Sequence, residues 1–164
     1  MLFVITVLLQ TFFLDRLTLS VYFAPVVYTA VLFLLPVNAP PIVNLLTALA
    51  AGAVTDLLTG IPGLNTIATL TAGYVRRPLL TLIVGRDGMR DGGIPSSSAM
   101  GARNYAKYLV AITMLHSAVF FAFEVFSFGH LFHTLLRFVA GTLSSLLFMW
   151  VVGRLFTSKI SARQ

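Results

Sequence analysis

Few residues in this chain have the type and setting to do chemistry. Asp56, Arg76, Arg77, His116, Glu124, His133 and Arg137 fall within or beside apolar runs. Paired carboxylates at one depth would suit general acid–base or aspartyl hydrolase work, but Asp56 has no second aspartate at a similar depth. No Gly-x-Ser-x-Gly and no glycine-rich phosphate loop occurs, and Ser96-Ser97-Ser98 reads as a loop spacer. His130 and His133 at i, i+3, with Glu124, are three possible metal ligands spaced too loosely to define a site. Zero cysteines remove the thiolate nucleophile, the disulfide framework and the zinc–sulfur site. These residues predict no catalytic group, no cofactor and no metal.

The elements that must position these groups follow from composition. The 164 residues are 58% hydrophobic and 10% charged, against roughly 25% charged in a soluble domain. With a mean hydropathy of +0.94, the chain lacks the polar surface of a water-soluble globule, and its aromatic content is the opposite of disorder. The sequence therefore predicts a single integral membrane domain over 1–164, all-α and polytopic, with about six transmembrane helices.

The first helix is predicted over 1–14 and the second over 24–35, both short against a hydrocarbon core of ~30 Å. Between them, 17–23 alternates apolar and polar residues, the period of a short extended segment. The third helix covers 42–58, with Ala48, Ala51, Gly52 and Thr55 as a small-residue face. After the Gly60-Ile61-Pro62-Gly63 turn, the fourth covers 64–84 with a matching face of Ala68, Ala72 and Gly73. Pro78 is expected to kink it or end its spanning part. Residues 85–103 form the long polar connection, read as a flexible loop with no fold of its own. The fifth helix covers 104–128 and the sixth 130–156, followed by a basic tail over 157–164.

Charge sets the orientation. Of eleven Lys and Arg, six lie between Arg76 and Lys107 (Arg76, Arg77, Arg86, Arg90, Arg103, Lys107) and three at the end (Arg154, Lys159, Arg163). The positive-inside rule places both segments, and by parity both termini, in the cytoplasm. The net charge of +6 thus reflects topology rather than nucleic acid binding, and it can meet anionic lipid head groups at the cytoplasmic face.

Depth sorts the charges. At ~1.5 Å per residue, Asp56 (~3 Å), His133 (~5 Å), Glu124 (~6 Å) and Arg137 (~10 Å) share the outer layer, whereas Arg76 lies ~18 Å below the outer turn. Arg137 is expected to pair with Glu124, Asp56 or both, as a polar knot that sets helix packing. Arg76 is expected to snorkel to the cytoplasm with Arg77.

The string from Gly52 to Asn65, an apolar helix with Gly-x-x-x-Asp leading into Gly60-Ile61-Pro62-Gly63 and then a helix carrying Arg76-Arg77-Pro78, resembles the signature of the MreD family of rod-shape-determining membrane proteins. Gly85-Arg86-Asp87, Ile94-Pro95-Ser96 and Lys107-Tyr108 entering a helix with His116 and Phe123-Glu124-Val125-Phe126-Ser127-Phe128 extend the resemblance over roughly residues 20 to 150. It implies a non-enzymatic scaffold of the elongasome in the bacterial cytoplasmic membrane. Such a scaffold binds MreC and, through it, is linked to MreB, RodA and its transpeptidase. It also implies a fold similar to the six-helix S component of energy-coupling-factor transporters. Asp56, Gly60, Pro62, Gly63, Arg76, Arg77 and Pro78 are the signature positions. The alternative is a substrate-capturing S component of a vitamin-type transporter. S components typically dock through small residues on the first helix, and 1–14 contains no Ala or Gly.

Overall fold

Apolar runs bounded by glycine and proline become helices. The computed structural model describes residues 29–33, 35–60, 63–88, 93–128, 136, 138–147 and 150–151. In chain order the helices are α1 (Ala30–Phe33), α2 (Pro41–Thr59), α3 (Leu64–Gly88), α4 (Ser97–Met100), α5 (Ala102–Phe128) and α6 (Phe138–Leu147). No strand occurs among the described residues. Three helices are long and apolar enough to cross a membrane: Pro41–Thr59, Leu64–Gly85 and Ala102–Glu124. The expected helix over 1–14 and the extended segment over 17–23 lie outside the described residues, as does most of the first half of the expected second helix.

Helix α2 starts on Pro41, whose missing N–H is no loss in a first turn. It ends at Gly60, held in the left-handed region at φ 69° with its N–H donated to the Asp56 carbonyl. Helix α3 turns back along α2, and the two small-residue faces meet. Ala48, Ala51, Ala68 and Ala72 are fully buried there. Gly52 allows the closest approach, since a Cβ at that position would lie 2.5 Å from the Thr66 Cα. At Gly73 a Cβ would lie 2.8 Å from the Ala48 Cβ and 3.1 Å from the Asn44 carbonyl oxygen. The atoms met at Gly52 are backbone, so Gly52→Ala forces the helices apart. The expected cost is about 1–3 kcal/mol, read as a fall in the thermal unfolding midpoint in detergent. An unchanged midpoint would contradict this packing.

Two expectations are corrected. Pro78 does not end α3; the helix runs through it, and the one non-helical residue is Gly85, at φ 81° and ψ 170°. Proline removes a hydrogen bond but does not forbid a helix that packing holds on both sides. Here Arg76 and Leu80, two residues either side, are both fully buried. Within the 85–103 connection, the described residues from 93 on are also not without fold. Ser96 caps α4 by accepting from the Ala99 N–H at 3.1 Å, Val37 donates to the Gly93 carbonyl at 2.8 Å, and Met100 joins the core. The capping serine gives this stretch local order and the apolar Met100 ties it to the helices.

Helix α3 is central, packed on α2 at one side and α5 at the other. The main cluster gathers Ala30, Leu32, Phe33, Val37, Ala72, Leu80, Tyr105, Tyr108 and Ile112 at the end of the bundle away from the Gly60 turn. There Phe33 meets Tyr108 edge-on, ring centres 5.5 Å apart. Toward the other end of α5, Phe121 contacts Phe138 of α6 at 5.6 Å.

Candidate functional site

Two polar nodes lie at opposite ends of the α2–α3 hairpin. The first is Asp56. Gly63 precedes α3 in the left-handed region, at φ 79°, and has no side chain with which to cap. Asp56 takes that role from the preceding helix. Its Oδ1 accepts from the Asn65 backbone N–H at 3.0 Å and from Asn65 Nδ2 at 3.0 Å. Its Oδ2 accepts from the Thr66 backbone N–H at 2.9 Å and from the Thr66 hydroxyl. The two backbone donors are the second and third of α3, those that a capping oxygen normally serves. A carboxylate there also faces the positive end of the helix dipole. With the Gly60 bond to its carbonyl, Asp56 holds both sides of the turn. Gly60 and Gly63 supply the positive φ angles this needs; Pro62 lies outside the described residues.

The second node is Arg76, and it corrects the sequence expectation. Arg76 does not snorkel; its side chain is 0% exposed. Nε donates to the Tyr108 hydroxyl at 3.1 Å. One terminal nitrogen donates to Asn44 Oδ1 at 3.1 Å and to the Pro36 carbonyl at 3.2 Å. The other donates to the Leu35 carbonyl. The two carbonyls lie just past α1, where backbone oxygens lack helical partners. The planar fork thus ties α3 to the 35–36 segment, α2 and α5 at once. No ion pair of Arg76 occurs among the described residues, so its charge rests on oriented dipoles. Arg77, next in sequence, is exposed. It lines a groove of about 260 Å³ with Pro41, Asn44, Leu45, Gly73, Tyr74 and Pro78. The adjacent arginines therefore face opposite environments.

Of the expected outer-layer group, Glu124 is buried on α5, and the side chains of His133 and Arg137 lie outside the described residues. On α5, Thr113, His116 and Ser117 are buried together with Glu124. On α6, Ser144 and Ser145 donate to the Gly141 carbonyl at 3.0 and 2.7 Å. Among the described residues, no group of three His, Cys, Asp or Glu side chains is placed to hold a metal.

Sequence reasoning missed the partners that complete both nodes. Asn44 and Tyr108 serve Arg76, and Asn65 and Thr66 serve Asp56. These partners are uncharged, but an amide in the first turn of an apolar helix carries a burial cost related to that of an ionisable group. That signal was available at Asn44, which is 1% exposed.

The geometry defines the class: a protein all-helical over its described residues, with three helices long and apolar enough to cross a membrane, in which Asp56 and Arg76 are spent on hydrogen bonds within the fold. No family model, no curated protein and no solved structure matches the chain.

Proposed function

We propose that the chain is a non-enzymatic scaffold of the bacterial cytoplasmic membrane, of the MreD kind, with about six transmembrane helices in an S-component-like arrangement. Both termini and the 85–103 segment face the cytoplasm. Its work is to bind the membrane-spanning protein MreC and, through MreC, to help organise MreB, RodA and its transpeptidase in lateral peptidoglycan synthesis and rod shape.

The observation that carries this reading is where the signature charges are used. Asp56 is saturated by four donors of its own hairpin, and Arg76 is sealed from any substrate. Both spend their polarity on helix register. Large apolar side chains turn outward: Ile42, Leu46, Leu49 and Leu57 share one side of α2, and Ile67, Tyr74 and Leu82 one side of α3. Such faces suit lipid or the apolar flank of a partner helix.

Affinity purification in mild detergent, with identification of the co-purifying proteins, tests the proposal. Recovery of MreC is the expected result. Recovery of a transporter ATPase module would overturn it in favour of the substrate-capturing S component.

A further inference from the structure

A second groove lies between α3 and α5, on the other side of α3 from Arg77. Its volume is about 640 Å³, and it is lined by Leu79 and Ile83 of α3 and by Arg103, Ala106, Lys107, Val110 and Ala111 of α5. Five of these seven residues are apolar. The two cations sit four residues apart, on one face of the first turns of α5. Both are exposed, and among the described residues neither has an ion-pair partner.

Position decides what fits. Arg103 is the second residue of the Ala102–Glu124 span, and Lys107 lies ~6 Å further along it. The cations therefore occupy the head-group level at the mouth of the groove. From Arg103 to Ala111 the lining rises ~12 Å along α5, close to one leaflet of a core ~30 Å thick. A spanning helix of a partner would need contact over that full thickness, and it would carry its apolar flank past two exposed cations. A phospholipid matches both the length and the charge.

We propose that this groove is a stoichiometric binding site for one anionic phospholipid, with its phosphate between Arg103 and Lys107 and an acyl chain along Leu79, Ile83, Ala106 and Val110. The inference depends on the membrane setting and not on the scaffold reading, so either can fail alone. Anionic lipid held here would pin the start of α5 to the interface, with Arg103 two residues after the Gly101 that joins α5 to α4.

Native mass spectrometry of the full chain, delipidated and titrated with phosphatidylglycerol or phosphatidylcholine, tests it. Folding of each variant is checked by its thermal midpoint. The wild type is expected to retain one phosphatidylglycerol in preference to phosphatidylcholine. Arg103→Gln and Lys107→Gln should each weaken that binding about fivefold, and the double variant more than either. Ala106→Trp, which fills the groove and keeps both cations, should weaken it as well. Arg77→Gln should change it less than about twofold, because diffuse attraction between a cationic face and anionic lipid would count Arg77 equally. Three results would overturn the site: equal binding of phosphatidylcholine, an equal loss with Arg77→Gln, or full binding by Ala106→Trp. Occupation of the groove by a protein segment, with phosphatidylglycerol unable to bind while that segment is present, would also overturn it.

Discussion

Arg76→Ala is expected to be the most damaging single substitution on α3, at a cost of about 3–5 kcal/mol. The change removes four hydrogen bonds made to three other segments. It leaves the Tyr108 hydroxyl, the Asn44 amide and the Leu35 and Pro36 carbonyls around the cavity vacated by the guanidinium. Against a total stability of about 5–15 kcal/mol, such a loss should remove most of the monodisperse protein recovered in mild detergent. What survives should unfold at a lower temperature. Arg76→Lys keeps the charge but presents three donors from one nitrogen, which cannot reach Tyr108 and Leu35 as a fork does, so it should fall between wild type and alanine. Arg77→Ala, one residue away and exposed, should stay within about 0.5 kcal/mol of wild type. Equal effects at the two arginines would contradict the burial described here.

Asp56→Ala should cost about 2–4 kcal/mol, the loss of a helix cap together with two backbone donors left unpaired at the start of α3. Asp56→Asn keeps the shape and one acceptor oxygen but turns an amide donor toward the Thr66 N–H and hydroxyl. It should cost about 1–2 kcal/mol. The local reading is hydrogen exchange at the Asn65 and Thr66 amides, which the carboxylate protects in the wild type. Both amides should exchange faster in Asp56→Asn, with the middle of α5 little changed. Unaltered exchange at these two amides would show that the carboxylate does not cap α3.

The spanning helices were legible because each is an apolar run closed by a glycine or proline. The reading of 42–58 became Pro41–Thr59, and that of 104–128 became Ala102–Phe128. The small-residue faces were legible for the same reason, since glycine and alanine at helical spacing have few uses other than close packing. Three features were not legible, and each depends on residues distant in sequence. Arg76 looked like a snorkelling cation because its acceptors lie 32 to 41 positions away. Pro78 looked like a break because the packing that carries α3 through it comes from other segments. Residues 93–101 looked like open loop because what orders them is a serine cap and a bond from Val37. The described partners of Asp56 are nine and ten residues ahead in the same hairpin, a local cap that an ionisable-pair argument does not reach; Arg137, its other expected partner, lies outside the described residues.

The central claim is that the buried charges build the scaffold and that its apolar exterior does the binding. One ratio tests this: the amount of MreC retained per mole of folded chain, measured after affinity purification for wild type and for Asp56→Asn. The yield of folded chain should fall in the variant because the hairpin is weakened. The MreC retained per folded chain should stay the same, because the hydrogen bonds of Asp56 with described residues go to its own hairpin. A variant that folds to wild-type yield and stability yet loses MreC would contradict the account, by making Asp56 part of the binding surface.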